Sequence, residues 1–528
     1  MSSTVHLQPR QRWTGLAVLV LAVTLVAVDA TVLSLAIPSI SETLRPSGTQ
    51  LLWIGDAYSF VLAGLLVSMG SLSDRIGRKR LLLIGATAFG AASLLAAYSP
   101  TAGWLILARA LLGVAGATIM PSTLSLIRTL FPNDRERATA IGIWGAAATA
   151  GAALGPVVGG VLLEHFWWGS VFLLNIPVLV LLLVFGAWLL PESKDPNPGR
   201  WDVASVLLSL AGVIGVVYAI KEAAAHGVLR WDVPVTAVLG AVALTVFVRR
   251  QLRLDTPLLD VRLFRDRRFT AAVLASLIAL IGLSGVVFVT SQYLQLVRGY
   301  PPLKAGLAEL PAFAGAVVGG LLTARLVRRT GARTALTAGL LVMGIGIGML
   351  GWIQQDSTYL LLAAAFLLVG TAEGVVYTLG ADLVLTAAPA DKSGAASAVS
   401  ETAYELGTAL GIALVGSVVG ALYAGRLVVP AGADPAVATQ AGESLGGAVE
   451  AAHGLPDTLA GPLLESARTS FVHGVNVAGM LAGAMLLGAA VLSWRLLRGL
   501  NDRTAAGTPE QPASGAAAEP EPERTPVH

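Results

Sequence analysis

The chain contains no cysteine, so it has neither a disulfide framework nor a thiolate metal site. Histidine is scarce as well. The 6 present (His6, His165, His226, His453, His473 and His528) form no i, i+4 pair and offer no metal motif. Charge is thin, at 13% of the 528 residues, against about a quarter in soluble domains, which excludes a soluble multi-domain enzyme. No nucleophile–base constellation is present, so no enzyme and no bound cofactor is expected. The N-terminus is not a cleaved export signal: Arg10 and Arg12 precede an apolar run of about 25 residues, beyond the roughly 7–15 of a signal's apolar core.

Apolar residues dominate instead, at 55% of the chain, with a mean hydropathy of +0.74. Windows long enough to cross a bilayer fall at about 13–38, 51–72, 81–98, 104–127, 138–163, 170–190, 203–221, 232–250, 270–296, 304–325, 335–354, 358–386, 394–423 and 471–496. Fourteen spans put both termini on one side, expected to be cytoplasmic in a bacterial inner membrane. With that orientation inner bases outnumber outer ones by about four to one, as topology requires. Arg45, Lys221, Arg230, Arg298, Lys304, Arg426 and Arg468 fall outside, and Arg109 is read as the only base within a span. The net charge of +3 is therefore scattered over short loops, and no nucleic-acid partner is expected.

Leu72-Ser73-Asp74-Arg75-Ile76-Gly77 after the second span is echoed by Leu326-Val327-Arg328-Arg329-Thr330-Gly331 after the tenth. Parallel repeats of this kind occur in secondary transporters. The expected all-α membrane architecture is a cytoplasmic segment 1–12, a six-helix bundle 13–200, two inserted helices 201–250 and a second six-helix bundle 251–499. The second bundle carries an outer loop, 424–470, holding short amphipathic helices, and a tail, 500–528, is too polar to pack.

Carboxylates stand inside several spans: Asp29, Asp56, Glu309, Glu373, Glu401 and Glu405. One at the bilayer centre costs roughly 2.5–3.5 kcal/mol on insertion scales, so a chain carrying several points to ion-coupled transport. Glu401 and Glu405 are four apart, on one helix face, and two charges so close are not both ionised cheaply. Glu309 either takes part or sits at the outer rim, and the rim is the favoured reading. Arg109 needs a carboxylate or water. It is either a proton-transfer residue or a structural salt-bridge partner. Trp53, Tyr58, Trp144, Tyr377 and Tyr404 are candidates for cation–π contacts in a cavity, or face lipid and neighbouring helices.

The loop Gly70-Ser71-Leu72-Ser73-Asp74-Arg75-Ile76-Gly77-Arg78-Lys79-Arg80 matches the signature loop of the major facilitator superfamily. Gly151-Ala152-Ala153-Leu154-Gly155-Pro156-Val157-Val158-Gly159-Gly160 resembles the antiporter motif of its drug exporters. Leu105 through Gly113 resembles the proton-transfer motif around Arg109, with Leu112 where many members have a polar residue. Asp29 through Pro38 is similar to the first-span motif of the fourteen-helix drug:proton antiporters. Asp56, in Trp53-Ile54-Gly55-Asp56-Ala57-Tyr58-Ser59, is characteristic of the quaternary-ammonium subgroup. Ser400 and Ala316 stand where that subgroup has acids.

The resemblance implies the major facilitator fold and a monomeric proton-coupled antiporter. It would export lipophilic cationic drugs by alternating access, driven by the proton-motive force without a cofactor. Asp29 and Asp56 are expected to lead in coupling and recognition, then Glu401, Glu405 and Glu373. Gly70, Asp74, Arg75, Gly77 and Arg78 would gate, and Gly151, Gly155, Pro156, Gly159 and Gly160 would shape the hinge. The alternatives are a dedicated exporter of one natural-product antibiotic and a membrane sensor or scaffold without transport.

Overall fold

A computed structural model describes residues 8–194, 202–227, 230–254, 257, 259, 261–387 and 393–498. The tail 500–528 and the junction at 200–201 lie outside the described residues. No strand occurs among those described. Without water to satisfy backbone groups, apolar runs of this length cross lipid as helices.

In chain order the helices are α1 (Pro9–Leu44), α2 (Gly48–Ile76), α3 (Arg78–Ala97), α4 (Ala102–Leu130), α5 (Asp134–His165), α6 (Ser170–Leu173), α7 (Asn175–Leu189), α8 (Val203–His226) and α9 (Asp232–Arg253). They continue with α10 (Arg267–Gln292), α11 (Pro302–Thr330), α12 (Ala332–Gly348), α13 (Tyr359–Ala387), α14 (Ser393–Arg426), α15 (Pro435–Glu443), α16 (Leu445–His453) and α17 (Asp457–Leu496). Among the described residues, 14 spans are long and apolar enough to cross a membrane, α6 and α7 together forming one of them. The start of α1 and the end of α17 share one side, the terminal face; α15 and α16 occupy the other, the loop face. The segment 424–470 is only partly a loop, because α17 begins at Asp457 and runs unbroken into the last span.

The echoed hexapeptides end alike. Gly77 (φ 118°) closes α2 and Gly331 (φ 79°) closes α11, each donating its N–H to the carbonyl four residues back, Ser73 and Val327. The next helix starts at once in both cases. A positive φ suits glycine and strains other residues, which is why this residue recurs.

Helices α1 to α7 pack on one another, chiefly α1 on α5, α2 on α4 and α3 on α4; α10 to α14 and α17 form a second group, chiefly α11 on α13, α10 on α14 and α12 on α17. The α8–α9 hairpin lies outside both, with α8 against α2 and α14. Its terminal-face end is clamped by Arg250, which donates to both Asp202 oxygens at 2.8 and 2.9 Å. These bonds hold the Asp202 carboxyl down at about 2.

The two groups meet mainly toward the loop face. Ser291 Oγ donates to the Ser34 carbonyl at 3.0 Å, and Gln295 Nε2 to that of Leu35 at 3.1 Å. Helix α5 meets α11 backbone on backbone: a Cβ on Gly160 would stand 2.6 Å from Leu303 Cα, and one on Gly306 would strike the Pro156 carbonyl. Helices α15 and α16 cover the seam, with Arg45 to Glu450 at 2.5 Å and the Gly48 N–H to Glu443 at 2.9 Å. Toward the terminal face α5 stands clear of α11, with open space around Gly142 and Gly145. The seam is shut on the loop face and parted on the terminal face.

Candidate functional site

The buried acids of α1 and α2 are paired. Asp29, 1% exposed, accepts from Arg109 Nη1 at 3.3 Å and from Asn175 Nδ2 at 2.7 Å. Asn175 also donates to Ser93 Oγ at 3.1 Å. Arg109 donates further to the carbonyls of Ile54 (3.2 Å) and Gly55 (3.5 Å), and its guanidinium lies 4.8 Å from the Tyr58 ring centre. Five helices, α1, α2, α3, α4 and α7, are thereby tied around one charge pair. Of its two readings, the salt-bridge partner is the one these contacts describe, an ion pair to Asp29 anchored on two backbone carbonyls.

Asp56, fully buried, receives Lys221 Nζ on Oδ1 at 2.8 Å, while Oδ2 has no hydrogen-bond partner among the described residues. Lys221 comes from α8 and is 1% exposed. The sequence reading placed it among the outer-loop bases and took Arg109 as the only base within a span, and the structure corrects both. Lys221 lies inside α8 because Leu210 meets Gly64 and Val217 meets Phe60 along an antiparallel stripe, and Lys221 is one further turn along it. That i, i+4 spacing from Val217 was the available signal.

The acids of the second group are arranged differently. Glu401 and Glu405 share one face of α14, with Tyr404 between them. Its ring meets Tyr377 of α13 edge to face at 5.6 Å between centres. Glu373, one turn before Tyr377, lies within electrostatic reach of both tyrosines, as do Glu401 and Glu405. All three glutamates are half-buried, and none forms an ion pair among the described residues. Ser59 of α2 donates to Glu405, which also senses Arg109 across the seam. Five residues predicted from sequence therefore converge, and they do so where the two helix groups begin to part.

Other expectations scatter. Glu309 is 4% exposed, with Oε1 unpartnered among the described residues, so it does not sit at an exposed rim. Helix α5 covers the first turns of α11, and Tyr359 of α13 donates to the Ala308 carbonyl at 3.0 Å. Trp53 stacks on Lys221, Tyr58 is buried against Arg109, and Trp144 donates to Thr123 Oγ1 at 3.2 Å. In the signature loop, Arg78 donates to Thr129 Oγ1 at 2.9 Å and its N–H to the Ser193 carbonyl at 2.9 Å. Arg75 is exposed, Gly70 faces Pro121 of α4, and the Asp74 side chain lies outside the described residues. In the fifth span, Gly151, Gly155 and Gly159 face Thr24, Thr31 and Val32 of α1, while Gly160 and Pro156 face α11.

Residues 19–412 match the Major Facilitator Superfamily. The chain belongs to that superfamily. It is 47% identical over 484 residues to the multidrug efflux pump LfrA of Mycolicibacterium smegmatis, covering 92% of this chain and 96% of that one. It is 38% identical over 488 residues to the methyl viologen resistance protein SmvA of Salmonella typhimurium, covering 92% and 98%. Among solved structures it resembles a bacterial homologue of the human lysosomal transporter Spinster, inward-facing and unoccupied. That match has a TM-score of 0.63 at 17% identity over 93% of this chain and 99% of that one. The fold is thus the superfamily's, extended to fourteen spans. The chain is a multi-pass membrane transporter and not an enzyme.

Proposed function

We propose that this chain exports lipophilic cationic drugs across the bacterial cytoplasmic membrane in exchange for protons, by alternating access between the bundles 13–200 and 251–499. The observation that carries this reading is the cluster Glu373, Tyr377, Glu401, Tyr404 and Glu405, acid and aromatic, without ion pairs, beside the parted seam. The chain's likeness to the multidrug efflux pump LfrA and to the methyl viologen resistance protein SmvA supports it, as does Asp56, which favours the quaternary-ammonium subgroup.

A carboxylate in a low-dielectric site needs a partner for its charge, either its own proton or a cation. The tyrosine faces favour a flat cation over a hydrated metal ion. Cargo and proton therefore exclude one another at Glu401 and Glu405, and that exclusion couples their fluxes. The driving force is about 1.36 kcal/mol per pH unit and about 2.3 kcal/mol per charge per 100 mV. With the terminal face cytoplasmic, the state described is open to the cell interior and takes up cargo. The Asp29–Arg109 pair braces the first bundle, and Arg78 and the signature loop hold the terminal ends of α2, α3 and α4 together during rocking.

Ethidium uptake into everted membrane vesicles under an imposed pH gradient tests the proposal. Wild-type vesicles accumulate the dye and lose it on adding a protonophore. Accumulation indifferent to the protonophore removes proton coupling, and no accumulation removes the export of cations.

A further inference from the structure

Asp56, Trp53 and Phe60 form a cage for a cation, and it is already full. Lys221 Nζ lies 2.8 Å from Asp56 Oδ1, 3.8 Å from the Trp53 ring centre and 5.8 Å from that of Phe60. A carboxylate flanked by aromatic faces is the arrangement that recognises organic ammonium ions. The walls are otherwise apolar: Ala409 and Ala413 of α14 pack on Phe60 and Val217, and Phe288 of α10 packs on Gly55. Arg109 of α4 is the other charged group that Asp56 senses. Lys221 also lines a cavity of about 370 Å³ on the loop-face side, bounded by Leu52, Gln292 and Ser417 and roofed by Glu443 and Ser444 at the junction of α15 and α16. A lysine on a four-carbon stem has room there to swing out of the cage.

We propose that Lys221 is a tethered stand-in for cargo: it occupies an alkylammonium site at Asp56 that an organic cation takes when the lysine withdraws into the loop-face cavity. The inserted hairpin then has a part in specificity. It supplies a competing cation, so that cargo must displace a resident charge on its way out and is less readily held at Asp56. This rests on the export reading above for its role in the cycle, but the cage itself is testable without transport.

Lys221→Ala empties the cage, and n-butylammonium is the lysine side chain cut free. In detergent-purified Lys221→Ala, saturating butylammonium is expected to raise the thermal midpoint by roughly 5 °C, the scale of a ligand in large excess over its Kd. Butanol, its neutral analogue, is expected to do nothing. Wild type and Asp56→Asn/Lys221→Ala are expected to ignore butylammonium. No shift in Lys221→Ala, an equal shift with butanol, or a shift that survives loss of Asp56 overturns the proposal. Should Lys221→Ala fail to fold, Lys221→Met retains the packing. Its KM for ethidium export is expected to fall by about threefold or more, whereas an unchanged KM with a lowered kcat marks a merely structural lysine and overturns it. If wild type exports no ethidium, the export reading fails, and the butylammonium shift, measured on Lys221→Met where necessary, still decides the cage.

Discussion

The two helix groups treat their acids in opposite ways. Asp29 and Asp56 of the first group each face a base, Arg109 and Lys221. Glu373, Glu401 and Glu405 of the second face tyrosines. A carboxylate with a built-in counter-ion is already balanced: Arg109, fixed on two backbone carbonyls, makes Asp29 a rigid joint, while Lys221, beside a cavity, must leave Asp56 before anything else binds there. One facing an aromatic ring still needs a proton or a cation, and in the proposed cycle exchanges the two. Intramembrane acids are thus not one class, and the partner sets whether a charge is already balanced or still needs a proton or a cation.

The largest expected effect tests the second group. Glu405→Gln and Glu401→Gln each lower proton-driven ethidium export by about 100-fold at equal expression, read as initial rates in everted vesicles; near wild-type rates in both would erase the contrast. Next comes the first group's pair. Arg109→Met leaves Asp29 without its counter-ion, and breaking such a buried pair costs about 3–5 kcal/mol. The thermal midpoint of the purified variant is expected to drop sharply, and Asp29→Asn/Arg109→Met to recover much of the loss. Equal destabilisation in single and double variants would deny that Asp29 is what Arg109 compensates.

The seam between the groups gives a smaller effect. Gly160→Val forces a branched side chain onto the backbone of Leu303, an overpacking worth about 1–3 kcal/mol. It is expected to favour a loop-face-open state, seen as a longer distance between spin labels on α5 and α11. Smallest is the exposed clamp on the hairpin. Asp202 titrates at about 2 because Arg250 donates to it, below the ordinary value of about 3.9. The clamp's contribution is therefore complete above about pH 4 and lost as pH falls toward 2. Solvent screening keeps it small, so Arg250→Ala is expected to lower the thermal midpoint slightly at pH 7 and by less at pH 2, where Asp202 is about half protonated.

Span number and the glycine turns were legible because each is a local property: apolar length, and a positive φ that only glycine takes easily. The face shared by Glu401 and Glu405 was legible for the same reason. Pairing was not. Lys221 reads as a loop base because it stands near a span end, and only the packing of α8 along Gly64 and Phe60 carries it inward. Glu309 reads as a rim residue until α5 is laid over α11. The helical extension of α17 back to Asp457 was missed since its first turns are too polar to register as membrane. The misses at Lys221 and Glu309 concern what a second helix covers, which one helix's sequence does not state.

The contact of Gly160 with Leu303 and of Gly306 with Pro156 has a mechanical corollary. Main chain resting on main chain interlocks no long side chains, so parting the surfaces demands no rotamer search and rejoining them leaves nothing to mis-thread. A closure made this way behaves like two smooth plates rather than meshed gears, suited to separating and re-seating on every turnover without wear on its register.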